Sequence, residues 1–267
     1  IASCLVGSEM CIRDRSIVDD VFDSITENEL FFVDYMFVHN RHIGLLYKRY
    51  IDGCLVVSGS FINNHIASTQ VLDCDLVVYI SQFRDKPNNN VQSWTECLEA
   101  MVSILDFLLD WCPRNGKSLI ICGAQDDSKC TEKEFYDKNL KNGDYEYVPR
   151  RTFSSSYHMI DRAGIVVTFC STLGYESIGR RKKTAVFTCS RSKNEDLDRS
   201  FGWPAKFPDA GPFWTNYYDI VEFARVMDYL NSVSDSEWGE LMAKYADDVM
   251  AYDPANSHFT ALLEQLL

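Results

Sequence analysis

The sequence predicts an α/β protein: a Rossmann-like parallel sheet with flanking helices, preceded by the remnant of a first Rossmann-like domain. Three observations predict it. Short apolar runs rich in β-branched residues recur along the chain. Helical spacing of apolar residues lies between them. Turn residues or helix-start signatures separate the two. A strand that is apolar throughout must be covered on both faces, which is the environment of a parallel sheet with helical crossovers.

In chain order, Phe31–Val38 (FFVDYMFV) carries the aromatic and β-branched residues that strands favour. Asn40–Tyr50 has a helical pattern ending near Gly53, and Cys54–Ser58 is a second short strand. Gly59–Asn64 (GSFINN) is turn-rich and separates two blocks, so it is the candidate linker. Asp75–Ser81 opens the second block as a buried strand, followed by a loop through Pro87 and Asn88–Asn90. Ser93 with Glu96 forms a capping box, and Leu98, Met101, Leu105 and Leu108 keep helical spacing as far as Trp111. Ser118–Cys122 is the next strand, and Thr131 with Glu134 is a second capping signature before a short helix. Tyr145–Val148 is a brief strand, Ser154–Arg162 a helix, and Gly164–Cys170 (GIVVTFC) a fully buried strand expected at the centre of the sheet. A helix starts at Ser171 and a strand at Lys183–Cys189. Three amphipathic helices close the chain, at Tyr218–Leu230, Ser234–Ala251 (Ser234 and Glu237 make a capping box) and Asn256–Leu267.

The expected organisation is a tail at 1–15, a first block at 16–66 with too few elements for a complete domain, and a Rossmann-like domain with terminal helices at 67–267. Residues 1–15 (IASCLVGSEMCIRDR) have neither the basic start nor the continuous apolar core of a targeting segment. The stretch SEMCIRDR resembles a translated sequencing adapter, which implies that this tail is not natural protein and that the true N-terminus lies upstream. An ordinary N-terminal tail is the alternative.

Composition narrows the function. A hydrophobic share of 46% and a charged share of 24% are those of a globular protein. Acidic residues outnumber basic ones by 39 to 26, for a net charge of -13. Nucleic-acid binding needs a basic footprint and is not expected, although a local phosphate site stays open. No apolar run reaches the ~18 residues of a membrane helix; the longest, Met101–Trp111, is interrupted by Asp106 and Asp110. The ten cysteines form no Cys-x-x-Cys pair and the five histidines are scattered, so no zinc spacing exists. Reduced, structural thiols in a cytoplasmic protein are expected, with a secreted disulfide framework as the alternative.

In an open parallel sheet, ligands bind beyond the C-terminal strand ends. The junction GIVVTFC-STLGYESIGRR places Ser171 and Thr172 at a helix start, with Gly174 one step on and Glu176 in the first turns. Small hydroxyls, backbone N–H groups and the positive helix end together make an anion site. Gly174 would let a phosphate approach, and Glu176 would accept from a sugar hydroxyl. Plain helix capping by Ser171 is the competing reading. Arg180, Arg181, Lys182 and Lys183 form the only dense basic cluster and are expected as cations at a helix C-terminus.

Val166–Thr188 (VVTFCSTLGYESIGRRKKTAVFT) resembles the nucleotide-sugar-binding segment of GT-B glycosyltransferases, and more closely that of bacterial O-antigen or surface-carbohydrate biosynthesis proteins. GSFINN, ISQFRDKPNNN (Ile80–Asn90), VPRRTFSSSY (Val148–Tyr157) and FGWPAKFPDAGPFWTN (Phe201–Asn216) match the same family. The resemblance runs from about Asp34 to the C-terminus and implies the C-terminal half of a GT-B fold. It implies a nucleotide-sugar donor, a saccharide or lipid-linked acceptor, no cofactor and no metal. Gly59 and Ser60 would lie at the cleft, Arg84 would neutralise diphosphate charge (an ordinary surface position is the alternative), and Ser171, Thr172, Gly174 and Glu176 would hold the donor. Trp203, Trp214 and Asn216 would form a substrate loop, its aromatics stacking on sugar or base or packing on the preceding domain. Asp73-Cys74-Asp75 looks like an Asp-x-Asp metal motif but precedes a strand instead of following one. No catalytic base is named; His39, His42 and His158 are surface or structural candidates. The implied location is cytoplasmic, with peripheral attachment to the inner membrane face open. The implied function is sugar transfer in surface-polysaccharide assembly. A sugar-nucleotide epimerase, a glycerol-phosphate-type transferase and a non-catalytic nucleotide-binding scaffold are the alternatives.

Overall fold

The computed structural model describes residues 30–69, 72–84, 91–126, 128, 130–140, 143–191 and 199–266. The expectations for the tail at 1–15, for residues 16–29, for the loop at 87–90 and for the Ser93 cap lie outside the described residues or side chains.

Two sheets form. β1 (Phe31–Val38) and β2 (Ile51–Val57) pair in parallel, with α1 (Arg41–Tyr47) as their crossover. Asn40 starts α1 by accepting the Ile43 amide at 2.9 Å, satisfying one of the unpaired N–H groups of a helix start. Met36, Val38, Ile43 and Ile51 make a small core of their own.

The second sheet holds β3 (Asp73–Ile80), β4 (Ser118–Cys122), β5 (Glu146–Val148), β6 (Ala163–Thr168), β7 (Thr184–Phe187), β8 (Ala210–Gly211) and β9 (Trp214–Thr215). Its spatial order is β5-β4-β3-β6-β7-β9-β8, parallel throughout except for the β8–β9 pair. The crossovers are α3 (Val91–Arg114), α4 (Thr131–Asn139), α5 (Ser155–Arg162) and α6 (Thr172–Gly179). The chain steps outward from β3 to β4 to β5, then returns to lay β6 on the other side of β3. The winding direction therefore reverses between β3 and β6, and a reversal of that kind opens a crevice at the C-terminal strand ends.

β3 and β6 are buried on both faces, as their apolar sequences require. Val77, Tyr79, Ile165 and Val167 pack toward α3 and the later helices α7 (Ile220–Ser232) and α8 (Asp235–Val249). Leu76, Val78, Ile80 and Val166 pack toward α5 through Tyr157 and Ile160. The capping box at Ser234 and Glu237 is present at the start of α8. The one at Thr131 is not: Thr131 is the first helical residue, and Cys130 occupies the cap position at φ 53° without a side-chain capping bond. Glu132 spans the gap instead, its carboxylate accepting the Ala124 and Gln125 amides at 3.0 and 2.9 Å.

The candidate linker is a helix, not an open turn. Ser60 accepts the Asn63 amide at 3.3 Å and starts α2 (Phe61–His65). The C-terminal end of α2 is held by Arg180, the C-cap residue of α6, whose side chain is turned inward. Arg180 has a side chain only 1% exposed and pairs with Asp161, at 0%. Its Nη1 donates to both Asp161 oxygens at 3.0 and 3.1 Å, and its Nε to Asn63 Oδ1 at 2.6 Å. Its Nη2 donates to the Asn63 and Ile66 carbonyls at 2.8 and 2.6 Å. The rings of Tyr157 and Tyr252 each lie 5.3 Å from the guanidinium carbon. The physical reason is the carbonyls: the end of α2 leaves acceptors unpaired, and a planar five-donor group meets them and the carboxylate together.

The C-terminal segment returns to the first block. The Val249 carbonyl accepts from Asn40 Nδ2 (2.9 Å), and the Ala251 amide donates to the His39 carbonyl (2.9 Å). In α9 (Ser257–Leu266), Phe259 packs on Phe37 and Phe61 with ring centroids 5.1 and 4.9 Å away. No described helix is long and apolar enough to cross a membrane.

Replacing Asp161 by Ala leaves the Arg180 charge buried and unpaired. Equilibrium urea unfolding should show a loss of about 3–5 kcal/mol, and a loss below 1 kcal/mol would mean that Arg180 is not desolvated as described.

Candidate donor site at the sheet reversal

The crevice between β3 and β6 is bordered by the loop Ser81–Arg84 after β3 and by Phe169–Ser171 after β6. Both loops are held by specific bonds. Ser81 accepts the Phe83 amide at 3.1 Å and pairs with the Tyr136 hydroxyl at 2.5 Å. Thr168 Oγ1 accepts the Ser171 amide at 3.0 Å, and Gln82 Oε1 accepts the Cys170 amide at 3.0 Å.

Ser171 occupies the N-cap position of α6 with extended backbone, yet its side chain makes no capping bond. Its amide is used by Thr168, while its hydroxyl has no protein partner among the described residues. Plain capping is therefore not what this serine does here. The half-buried hydroxyl sits at the positive end of a helix, an arrangement suited to an anion. Thr172 follows it as the first helical residue, and exposed Arg84 stands across the crevice on the β3 loop.

The other predicted site residues are placed differently. Gly174 serves packing and not the approach of a ligand: a Cβ there would meet Thr168 Cγ2 at 2.3 Å. Its role is close contact between helix and strand. Gly59 is buried at φ +72°, where a Cβ would lie 2.0 Å from the Ala251 carbonyl oxygen. It bridges to Tyr252 in the C-terminal crossing. Ser60 is buried as the cap of α2. Neither lines an open cleft, because the returning C-terminal segment covers them.

Glu176 is buried too, and its carboxylate is already engaged. It accepts the Tyr157 hydroxyl at 2.9 Å and is hydrogen-bonded to Ser60, with Arg180 one turn further along α6. Burial raises its pKa above the usual carboxylate value, opposed by the Ser60 and Tyr157 bonds and the Arg180 charge. The phenol of Tyr157 is pushed well above its ordinary range by burial and by the neighbouring carboxylate. Glu176 thus joins α6 to the linker helix.

The substrate-loop expectation also needs correction. Trp214 is 1% exposed, stacked on Phe201 at 4.5 Å, with its indole N–H on the Pro208 carbonyl at 2.9 Å. Asn216 is fully buried; its Oδ1 accepts from the Phe201 amide and the Thr188 hydroxyl, and its Nδ2 donates to Asp209. These residues organise the loop from inside, because the space behind β9 is filled by rings. Trp203 alone stays half-buried.

Asp73 pairs with Arg162 at 3.4 Å and Asp75 with Lys117 at 3.1 Å, at the strand end opposite the crevice. Among the described residues no three metal-ligating side chains converge. The eight described cysteines are free thiols. His42 contacts Asp248, His158 is exposed, and burial lowers the pKa of His39.

Gln82, Asp161 and Tyr157 were not singled out in the sequence. Gln82 and Tyr157 had one signal each, their place in the family-matching stretches Ile80–Asn90 and Val148–Tyr157. Asp161 had none, since its partners are remote in sequence.

Sheet order and crevice define a Rossmann-like α/β protein of the kind found in GT-B glycosyltransferases and sugar-nucleotide epimerases. Residues 13–267 match the family described as "putative O-antigen biosynthesis protein", including the last residues of the tail set aside above, and the chain belongs to that family. No curated protein matches the chain. Among solved structures, UDP-GlcNAc 2-epimerase of Methanocaldococcus jannaschii, in complex with UDP-GlcNAc and UDP, is similar in fold. Identity is 11% and the TM-score 0.50, over 87% of this chain and 61% of that one. A TarM mutant of S. aureus, in complex with Fondaparinux, alpha-GlcNAc-glycerol and UDP, matches with 13% identity and a TM-score of 0.48 over 94% of this chain and 45% of that one. A UDP-N-acetylglucosamine 2-epimerase structure from Listeria monocytogenes matches with 12% identity and a TM-score of 0.47, over 79% and 53%. The chain thus spans roughly half the length of these structures.

The buried Glu176 predicts a pH effect with a definite sign. A carboxyl whose folded pKa is raised contributes stability below its unfolded value, near 4.5, and loses it as pH rises through the folded value. Glu176→Gln should therefore gain stability relative to wild type as pH climbs from 4.5 toward neutrality. Urea midpoints of both proteins across that range test this; a constant difference would contradict the burial.

Proposed function

We propose that the protein binds a nucleotide-activated sugar and takes part in its transfer during O-antigen assembly, with a saccharide or lipid-linked acceptor. The observation that carries this reading is the placement of Ser171 and Thr172 at a helix start at the point where the sheet reverses. Membership of the O-antigen biosynthesis family supports the substrate class. The donor diphosphate lies against the first turn of α6. The Ser171 and Thr172 hydroxyls donate to its oxygens, and Arg84 offsets its charge from the β3 loop. Positive charge and helix amides then stabilise the leaving diphosphate as the bond to the sugar breaks, which is the electrostatic work such a transfer needs. On this reading no metal takes part, and the protein works in the cytoplasm. The similar fold of a UDP-GlcNAc 2-epimerase captured with UDP-GlcNAc and UDP supports a nucleotide-sugar ligand without defining the reaction. Gly59, Ser60, Gly174, Glu176, Trp214 and Asn216 support the site from behind.

The test is calorimetry of UDP and UDP-sugars with the full-length protein. Thr172→Ala should lose about 1–2 kcal/mol of affinity, the size of a hydrogen bond to a charged group. Its melting temperature should stay within a few degrees, and EDTA should change nothing. Lost stability with unchanged affinity would reduce Ser171 and Thr172 to a helix start; affinity abolished by EDTA would require a metal. Release of free UDP in the presence of an acceptor marks a transferase, whereas isomerised UDP-sugar with no acceptor marks an epimerase.

A further inference from the structure

The segment that links β5 to α5 and runs through that helix differs in charge from the rest of the surface. From Pro149 to Arg162 every exposed charged side chain is basic: Arg150, Arg151 and Arg162, with His158 exposed as well. The single acid of the stretch, Asp161, is buried against Arg180. Arg162 pairs with Asp73 at 3.4 Å, but the Arg150 and Arg151 guanidinium groups have no ion pair or hydrogen bond among the described residues. The helices on the other face of the sheet carry the opposite sign, with Glu99 and Asp110 exposed on α3, Asp228 on α7, and Asp235, Glu240 and Asp247 on α8. In a chain of net charge -13 the two faces are thus electrically distinct.

Phe153 follows the two arginines and is 62% exposed. Its backbone is held on both sides. The Arg150 amide donates to the Gln125 carbonyl at 2.9 Å, and Ser155 Oγ accepts the Arg151 and Thr152 amides at 3.2 Å each while donating to the Thr152 carbonyl at 2.8 Å. A bonded turn therefore keeps an aromatic ring in water beside two unpaired cations in the chain. That combination is the chemistry of an anionic bilayer interface, where guanidinium groups meet headgroup phosphates and a ring sinks below them. An acidic polypeptide would match the arginines and leave the ring in water, and a nucleic acid needs a longer basic footprint.

We propose that the loop between β5 and α5 docks on a membrane: Arg150 and Arg151 bind the phosphates of anionic lipids, and Phe153 inserts beside them. The separation of charge between the two faces turns the α5 side toward the bilayer. Because β5 runs parallel to β3 and β6, the loop lies at the edge of the sheet where the crevice opens, so docking brings the crevice to the lipid surface. Delivery of a lipid-linked acceptor there rests on the proposed function; the docking itself does not.

Co-sedimentation of the full chain with vesicles tests this, using phosphatidylcholine alone and phosphatidylcholine mixed with phosphatidylglycerol. Expected is binding to the anionic vesicles only, weakened by added salt. Arg150→Ala/Arg151→Ala should lower the partition coefficient about tenfold or more, and Phe153→Ser severalfold. Melting temperatures should not change, because all three side chains are exposed. Arg114→Ala/Lys244→Ala removes the same charge from the opposite face and should bind as wild type does. No binding to anionic vesicles, wild-type binding by the arginine variant, or an equal loss in the opposite-face control would overturn the proposal. So would capture by polyglutamate or DNA that depends on Arg150 and Arg151 without any vesicle binding. Nucleotide affinity is read in a separate titration, so the proposed function stands or falls independently of these outcomes.

Discussion

The arrangement of the chain depends on one buried cation. A guanidinium removed from water is costly unless every donor finds an acceptor, and an incompletely paired one would destabilise the fold by several kcal/mol. Arg180 meets that demand with five hydrogen bonds from three partners, the Asp161 carboxylate, Asn63 and the Ile66 carbonyl, between the rings of Tyr157 and Tyr252. Those groups come from α5, the linker helix α2 and the C-terminal crossing. Few other placements of these segments would satisfy the same charge. The pair therefore matters as a specifier of geometry more than as a source of net stability. It also accounts for the folding of GSFINN as a helix, since the carbonyls at its end have somewhere to go.

Helix α6 gives this constraint a functional direction. Its first residues face the sheet reversal, while Glu176 and Arg180, one turn apart, grip the linker helix. Gly174 lets the helix press on Thr168, whose hydroxyl in turn takes the Ser171 amide. Each of these contacts fixes the position of the turn without consuming the Ser171 hydroxyl. On the proposed reading such a site is preorganised: its donors are oriented by the fold before any ligand arrives, so little reorganisation is left for binding.

The aromatic-rich stretch near the C-terminus shows how a motif and a ligand site part company. Phe201, Phe207, Phe213, Trp214, Tyr245 and Trp238 form a continuous set of ring contacts behind β9. Asn216 ties Phe201, Thr188 and Asp209 together beneath it. Rings of that size bury more apolar surface than a loop could otherwise provide, so the stretch is recognisable in sequence for reasons of packing.

The sequence by itself determined the class of fold, the order of its elements and the junction at Ser171, because these follow from local periodicity and from the need of apolar strands for cover on both faces. Gly164–Cys170 was legible as a central strand for that reason, and the Ser234–Glu237 capping box because both partners lie within one turn. Only the tertiary structure decided which polar residues are spent on the fold and which remain for a ligand. Glu176 and Arg180 look like available polar groups in a helical pattern until Tyr157, Ser60, Asp161 and Asn63 close around them from 19 to 117 positions away. Trp214 looks like a loop aromatic until Phe201 stacks on it and Tyr245 meets it edge-on. Gln82 is unremarkable until Cys170, 88 residues on, donates its amide to the side-chain carbonyl oxygen. Hydrogen-bond satisfaction and burial are properties of partners brought together in space, and no local pattern in the chain encodes them.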